Sequence, residues 1–142
     1  MAGLLARPPN TVGAVVVEGV DRTGVVRTIK PPAEVSVAYL TPETNHSIAE
    51  PFWRYLNAEG QLRRDNRTVS GRLFQSPFYA SGLPISEPYW TRVVVGEQPT
   101  DVLIQAFERR VLTFTPRNAP NWRVEMGNVG RHYYRWRYGS GT

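Results

Sequence analysis

The chain has 142 residues, 41% of them hydrophobic and 20% charged, with a formal net charge of +5. That length suffices for one ordinary domain with a core of its own but not for two independent ones, and the composition is globular rather than disordered. The absence of cysteine excludes thiol catalysis, disulfides and thiolate metal sites together, and no apolar run approaches the roughly 18 residues of a membrane-spanning helix.

Twelve glycines and twelve prolines in an aromatic-rich chain favour short strands and turns over long helices. The expected class is α+β, short antiparallel β-hairpins packed with two short helices. Every basic residue except Lys30 is an arginine. Such a bias suits ion pairs, aromatic platforms and phosphate contacts alike, and a GC-rich or thermophilic genome produces it too. The apolar piece from Ala2 to Ala6 is too short for a signal-peptide core, so the chain reads either as cytosolic or as the mature or excised piece of an exported protein.

In chain order, residues 1–11 with Pro8-Pro9 read as a flexible lead-in, 12–138 as a single compact domain with half-units of about 12–60 and 61–138, and 139–142 as a tail. Val12 to Glu18 is a strand, Asp21-Arg22-Thr23-Gly24 a turn, and Val25 to Ile29 the return strand. Glu34 to Leu40 makes a third strand that stops at Thr41-Pro42. Ser47 with Glu50 forms a capping box for a helix from Ser47 to Ala58, in which Ile48, Phe52, Tyr55 and Leu56 share a face that Trp53 borders. Gln61 to Arg67 is polar, and Val69 to Phe74 is a short strand.

Gly82 to Glu87 is a fixed turn in which Ser86 caps a short helical turn through Tyr89 and Trp90. Thr91 to Val95 is a strand and Gly96 to Thr100 a loop. Val102 to Pro116 is the central hairpin, with Ile104 and Ala106 alternating with Leu103, Gln105 and Phe107, and its hinge at Glu108-Arg109-Arg110. Arg123 to Met126 is a strand, and Asn128 caps a last helix, Asn128 to Tyr138, with Val129, Tyr133 and Trp136 on one face. Both helices follow a Thr-Pro pair, at Thr41-Pro42 and Thr115-Pro116, and space their anchors by four and then three. Two half-repeats and the spacing of any amphipathic helix both account for that.

From His46 to Tyr138, about two thirds of the chain, the sequence resembles an uncharacterised C-terminal module of exported proteins from Chloroflexi-type bacteria. The resemblance rests on His46, Phe52-Trp53, the GLPISE turn from Gly82 to Glu87 followed by Tyr89-Trp90, the QAFERR hairpin from Gln105 to Arg110, Thr115-Pro116, and the run from Val124 to Tyr138. The order of turn, hairpin and final helix is also distantly similar to LGFP-type repeats of bacterial cell-wall proteins. Those repeats carry a glycine pair at the hairpin tip, where Arg109-Arg110 stand here. The resemblance implies an extracellular or cell-surface protein associated with the envelope.

The inventory for catalysis is thin. His46 and His132 are the only histidines and each adjoins a helix start or face, so both read as structural. Ser86 beside Glu87 lacks a nucleophile elbow and reads as a turn cap. Glu108 between its arginines either holds an anionic ligand or pairs internally to lock the turn. No catalytic, metal or cofactor residue is assigned. The functional material is aromatic rings interleaved with arginines, which offer platforms to sugars or unpaired bases, and the ligand-binding candidates are Trp90, Trp122, Arg109, Arg110, Tyr79 and Arg123. Trp90 and Trp122, beside turns and prolines, are expected to be exposed.

The expected function is a non-enzymatic extracellular or cell-surface module that binds envelope polysaccharide or a protein partner. One alternative is a structural subunit that self-assembles into a filament or lattice by strand addition through Val12 to Glu18, a homo-oligomer whose sequons at Asn45 and Asn66 permit surface sugars. A second is single-stranded nucleic-acid binding, which no nucleic-acid motif supports.

Overall fold

The computed structural model describes residues 7–64, 67–72 and 76–128. A six-stranded sheet runs in the order β10-β9-β8-β7-β1-β2, from β1 (Glu18–Val20), β2 (Val26–Thr28), β7 (Tyr89–Val95), β8 (Gln98–Ala106), β9 (Arg110–Phe114) and β10 (Val124–Asn128). Two hairpins stand beside it: β3 (Val37–Thr41) with β4 (His46–Ala49), and β5 (Glu59–Arg64) with β6 (Arg67–Arg72). The one α-helix among the described residues, α1 (Glu50–Leu56), follows β4 directly. The protein is therefore β-rich, and no described helix is long and apolar enough to cross a membrane.

The central hairpin forms as the alternation predicts. Leu103 and Gln105 of β8, Phe107 just beyond it and Leu112 of β9 are sealed on one face, joined by Trp90 of β7. Against them pack Val35, Val37, Ile48, Phe52 and Leu56 from the β3–β4–α1 unit, with Val16 closing the N-terminal side. Trp53 stacks flat on Tyr39, ring centroids 4.1 Å apart and planes 4° from parallel. The β1–β2 turn also forms where composition places it. Asp21 Oδ1 accepts from Thr23 N (2.8 Å), Thr23 Oγ1 (2.5 Å) and Val25 N (3.1 Å), with Gly24 at φ +87°. The Thr23 hydroxyl first, and then the Val25 amide, hold the Asp21 carboxyl below its ordinary value of 3.8.

Several expectations are corrected. Ser47 does not cap a helix, because residues 46–49 continue as strand β4, pairing Thr41 with His46 and Val37 with Ala49. The helix begins at Glu50, its N-cap Ala49 has no side-chain bond, and Pro51 sits in the first turn where a missing N–H is tolerated. Tyr89 and Trp90 open β7 rather than a helical turn. The loop expected over Gly96 to Thr100 shrinks to Gly96-Glu97, both at positive φ (53° and 68°), the primed turn that matches strand twist. Of the polar stretch Gln61 to Arg67, Gln61 to Arg64 lie in β5 and Arg67 opens β6, paired antiparallel. Asn128, expected as a helix cap, ends β10 opposite Arg110. The rest of the expected second helix, with Tyr133 and Trp136, lies outside the described residues, as do His132, Asn66 and the 139–142 tail.

The strand expected from Val12 to Glu18 does not form as such: Val12 and Gly13 make a turn, with Ala14 N donating to Thr11 O (3.0 Å) and Gly13 at φ +91°, Val15 makes an isolated bridge to Ser36, and only Glu18 enters a ladder. Gly13 N and Val16 N donate to Val37 O and Val35 O (both 2.8 Å), Ala14 O accepts from Val37 N, and Val17 O accepts from Ile29 N (2.7 Å). These bonds tie the segment to residues 29–37 of its own chain.

Trp90→Ala is expected to cost about 3 to 5 kcal/mol in urea denaturation, because the ring is 1% exposed and its removal leaves a cavity. In the Asp21→Ala protein a second effect is expected. A depressed folded-state pKa contributes stability that is present above 3.8 and lost as pH falls through the folded value, so the gap in melting temperature between wild type and Asp21→Ala narrows in acid.

Candidate functional site

The six ligand-binding candidates fall into three places. Trp90 is in the core, with its indole Nε1 donating to Val16 O at 3.1 Å, and this overturns its expected exposure. An aromatic beside a proline-rich turn reads as surface, but Trp90 begins a strand whose inward face it occupies.

Arg109, Arg110 and Tyr79 meet at the tip of the β8–β9 hairpin. Arg109 Nη2 donates to the carbonyls of Tyr79 (2.8 Å) and Phe78 (3.2 Å), and Arg110 Nη1 donates to Arg109 O (2.9 Å). Glu108 Oε1 accepts from Leu83 N at 2.7 Å, while its own N–H donates to Leu83 O. Glu108 and Arg109 thus tie residues 78–83 to the hairpin tip through backbone groups, and among the described residues Glu108 forms no ion pair with either arginine, so the internal pairing foreseen does not form. Gly82 is required there twice over: its φ is +74°, and an added Cβ would lie 2.7 Å from Glu108 Cβ. Tyr79 remains 63% exposed.

Trp122 and Arg123 stand at the other end of β9. Phe114 pairs with Val124 and Arg110 with Asn128, so the length of β9, roughly 13 Å at a strand's rise per residue, separates the two groups. The loop that carries them is held by its own bonds, Thr115 N to Arg123 O (2.8 Å), Asn118 Nδ2 to Trp122 O (3.0 Å) and Arg123 Nε to Asn118 O (3.1 Å). Pro120–Trp122 forms a single 3-10 turn that leaves Trp122 68% exposed. Asn121 and Arg123, its sequence neighbours, line a groove of about 740 Å³ whose opposite wall is Glu34, Arg54 and Tyr55. Glu50 and Arg54 form an ion pair one helical turn apart on that wall. Burial pushes the Tyr55 phenol pKa up, so at neutral pH it presents a neutral hydroxyl. An exposed aromatic adjoining in sequence a groove that carries amide, guanidinium, carboxylate and hydroxyl groups among apolar ones can stack on a polyhydroxylated ligand while the groove hydrogen-bonds to it.

Sequence reasoning missed the polar centre of the molecule. Glu87, 1% exposed, accepts four hydrogen bonds: from Asn10 N (2.6 Å) and the Ser47 hydroxyl on Oε1, and from Ser47 N and His46 Nδ1 (both 2.9 Å) on Oε2. A carboxylate only accepts, so His46 carries its proton on Nδ1. Gln105, equally buried, donates to Ser47 O (2.5 Å) and Ser86 O (2.9 Å) and accepts from Ala49 N. Ser86 Oγ accepts from Ala106 N and donates to Glu87 O. His46, Glu87 and Gln105 were all quoted in motifs, and the missing signal was their contact across the chain. A serine, a histidine and a carboxylate are thus adjacent, yet Ser47 is wholly buried and its hydroxyl donates to Glu87 rather than to His46, which bonds to the same carboxylate. Among the described residues no group of three or more acidic or histidine side chains converges to hold a metal.

No protein-family model, curated protein or solved structure matches the chain.

Glu87→Gln is expected to lower stability by about 1 to 3 kcal/mol, because one acceptor oxygen becomes a donor facing buried donors. Equilibrium unfolding measures it. Unchanged stability would remove Glu87 from the place given to it.

Proposed function

We propose that the protein is a non-enzymatic module of the cell exterior that binds envelope polysaccharide through the groove beside Trp122. The observation that carries this reading is an indole 68% exposed on a turn held by its own hydrogen bonds, between two residues that line a groove of mixed polar and apolar character. An exposed aromatic on a fixed loop stacks on a sugar face at little ordering cost, and the groove's mixed charges suit hydroxyls better than a phosphate backbone. The resemblance of the motifs to exported and cell-wall modules points the same way. The half-repeat reading, a Thr-Pro pair leading into a helix in each half, belongs to this proposal too; among the described residues each pair lies at or just past a strand's end, in a turn before an antiparallel return strand, with Asn45 N on Thr41 O and Asn118 N on Thr115 O.

Pull-down on cell-wall sacculi and a glycan array test the reading with wild type, Trp122→Ala and Arg123→Ala. Retention of wild type is expected, with at least a tenfold loss for Trp122→Ala at an unchanged melting temperature, since exposed substitutions cost within about 0.5 kcal/mol. No retention of wild type on sacculi or glycans, together with single-stranded DNA binding that weakens steeply with salt, overturns it in favour of nucleic acid.

A further inference from the structure

The far half of β7 has a strand edge that nothing among the described residues covers. β7 and β8 are joined by the two-residue turn Gly96-Glu97, so Val95 and Gln98 are the closing hydrogen-bonded pair. Hydrogen-bonded pairs alternate along an antiparallel ladder, so Val93, Thr91 and Tyr89 also turn their peptide groups to β8, and Val94, Arg92 and Trp90 turn theirs away. Register in β8 agrees: Ala106, which by this parity faces β7, bonds to Ile85 and Ser86 on that side, while Phe107 bonds to Arg110 of β9. On the outward edge β1 meets β7 at a single pair, Gly19 with Trp90, and then leaves for the Asp21 turn. The peptide groups of Arg92 and Val94 find no partner among the described residues.

A cleft of about 590 Å³ lies beside this edge, between the β1–β2 hairpin and the start of β7. Val20, Val25, Ile29 and Pro31 give it an apolar lining, and Arg27, Lys30 and Arg92 stand on it with Asp21 and Asp101. Both acids are engaged, Asp101 by Arg92 at 3.2 Å and Asp21 by the amides and hydroxyl of its own turn. Among the described residues Lys30 makes no ion pair or side-chain hydrogen bond, and Arg27 only senses Asp21 at a distance. The cleft therefore offers unpaired strand donors and acceptors, apolar walls and surplus positive charge together.

We infer that this cleft receives an extended segment of a partner protein, rich in alternating acidic and apolar residues, which adds as a strand to the edge of β7. The peptide groups of Arg92 and Val94 supply main-chain hydrogen bonds, the apolar walls take every second side chain, and Arg27 and Lys30 take the carboxylates. A free amphiphilic carboxylate would meet the walls and the cations but would leave the strand edge unpaired, so the edge favours a peptide.

The test uses the intact chain and a capped, fluorescent heptapeptide of alternating valine and glutamate, followed by anisotropy. Three comparison ligands accompany it: lysine in place of glutamate, N-methylation of alternate peptide nitrogens in either of the two phases, and decanoate as competitor. Saturable binding is expected, at least tenfold weaker for the lysine peptide and for one N-methylated phase. Lys30→Glu and Arg27→Glu, both exposed, are expected to weaken it at least fivefold each with unchanged melting temperatures. Val94→Pro, which deletes an outward N–H, is expected to do the same while the sheet persists by circular dichroism. Absence of binding at millimolar peptide overturns the inference. So does binding indifferent to N-methylation in both phases, and so does displacement by decanoate at concentrations as low as the peptide's own, which assigns the cleft to a small amphiphile.

Discussion

A carboxylate sealed from water is costly unless each of its lone pairs is met, and the architecture depends on how Glu87 is met. Its four donors come from Asn10 in the N-terminal approach and from His46 and Ser47 at the start of β4, while Glu87 itself leads into β7. Gln105 then ties the Ser47 and Ser86 carbonyls to β8. Three parts of the chain, distant in sequence, are thus placed by directional bonds. Apolar packing tolerates rearrangement; a half-satisfied buried carboxylate does not. The network accordingly sets the position of β4 against β7 and β8, and the apolar residues Ile48, Phe52, Trp90 and Leu103 fill the space between them.

This explains which parts of the fold were legible from sequence. The central hairpin and the Asp21 turn were readable because their causes are local, an alternation of period two and an acid that accepts from amides two and four residues on. Ser47 shows the opposite case. Ser-x-x-Glu before an apolar run is a sound local sign of a capping box, but a buried carboxylate from forty residues away took the hydroxyl and the amide, and His46 to Ala49 paired with β3 instead. Trp90 was misplaced for a similar reason: Pro88 and the preceding turn suggested a surface loop, whereas strand pairing with Leu103 turned the ring inward. Within the candidate site, Trp122 and Arg123 were legible as an exposed aromatic and its cation. Their distance from Arg109 and Arg110 was not, because it follows from the length and register of β9.

Arginine richness divides along the same line. Arg109 and Arg110 donate to backbone carbonyls and brace the hairpin tip, Arg54 and Arg92 pair with acids on their own or the adjacent strand or helix, and Arg123 holds its loop. Forked donors make these bonds without losing charge, so a strongly basic chain can be basic for structural reasons. The charge that matters for recognition is the part left over, and counting arginines does not locate it.

The open edge of β7 has an identifiable origin. β1 approaches β7 in parallel and could extend the ladder past Gly19, but Asp21 draws Thr23 and Val25 onto its carboxylate and turns the chain within two residues of the contact. The hairpin that results reaches only three pairs, Glu18 with Thr28 to Val20 with Val26, and ends while β7 runs on to Val95. At the other end Glu87 anchors the start of β7, so the strand cannot slide to bring its free half under β1. A strand held at one end and abandoned by its neighbour midway must present its remaining peptide groups to whatever lies alongside. An exposed edge of this kind invites unwanted pairing, and natural sheets blunt such edges with charge. Here Arg92 is engaged by Asp101 and Asp21 by its own turn, which leaves Arg27 and Lys30 to repel basic strands and admit acidic ones, so the two residues that guard the edge also select what is allowed to fill it.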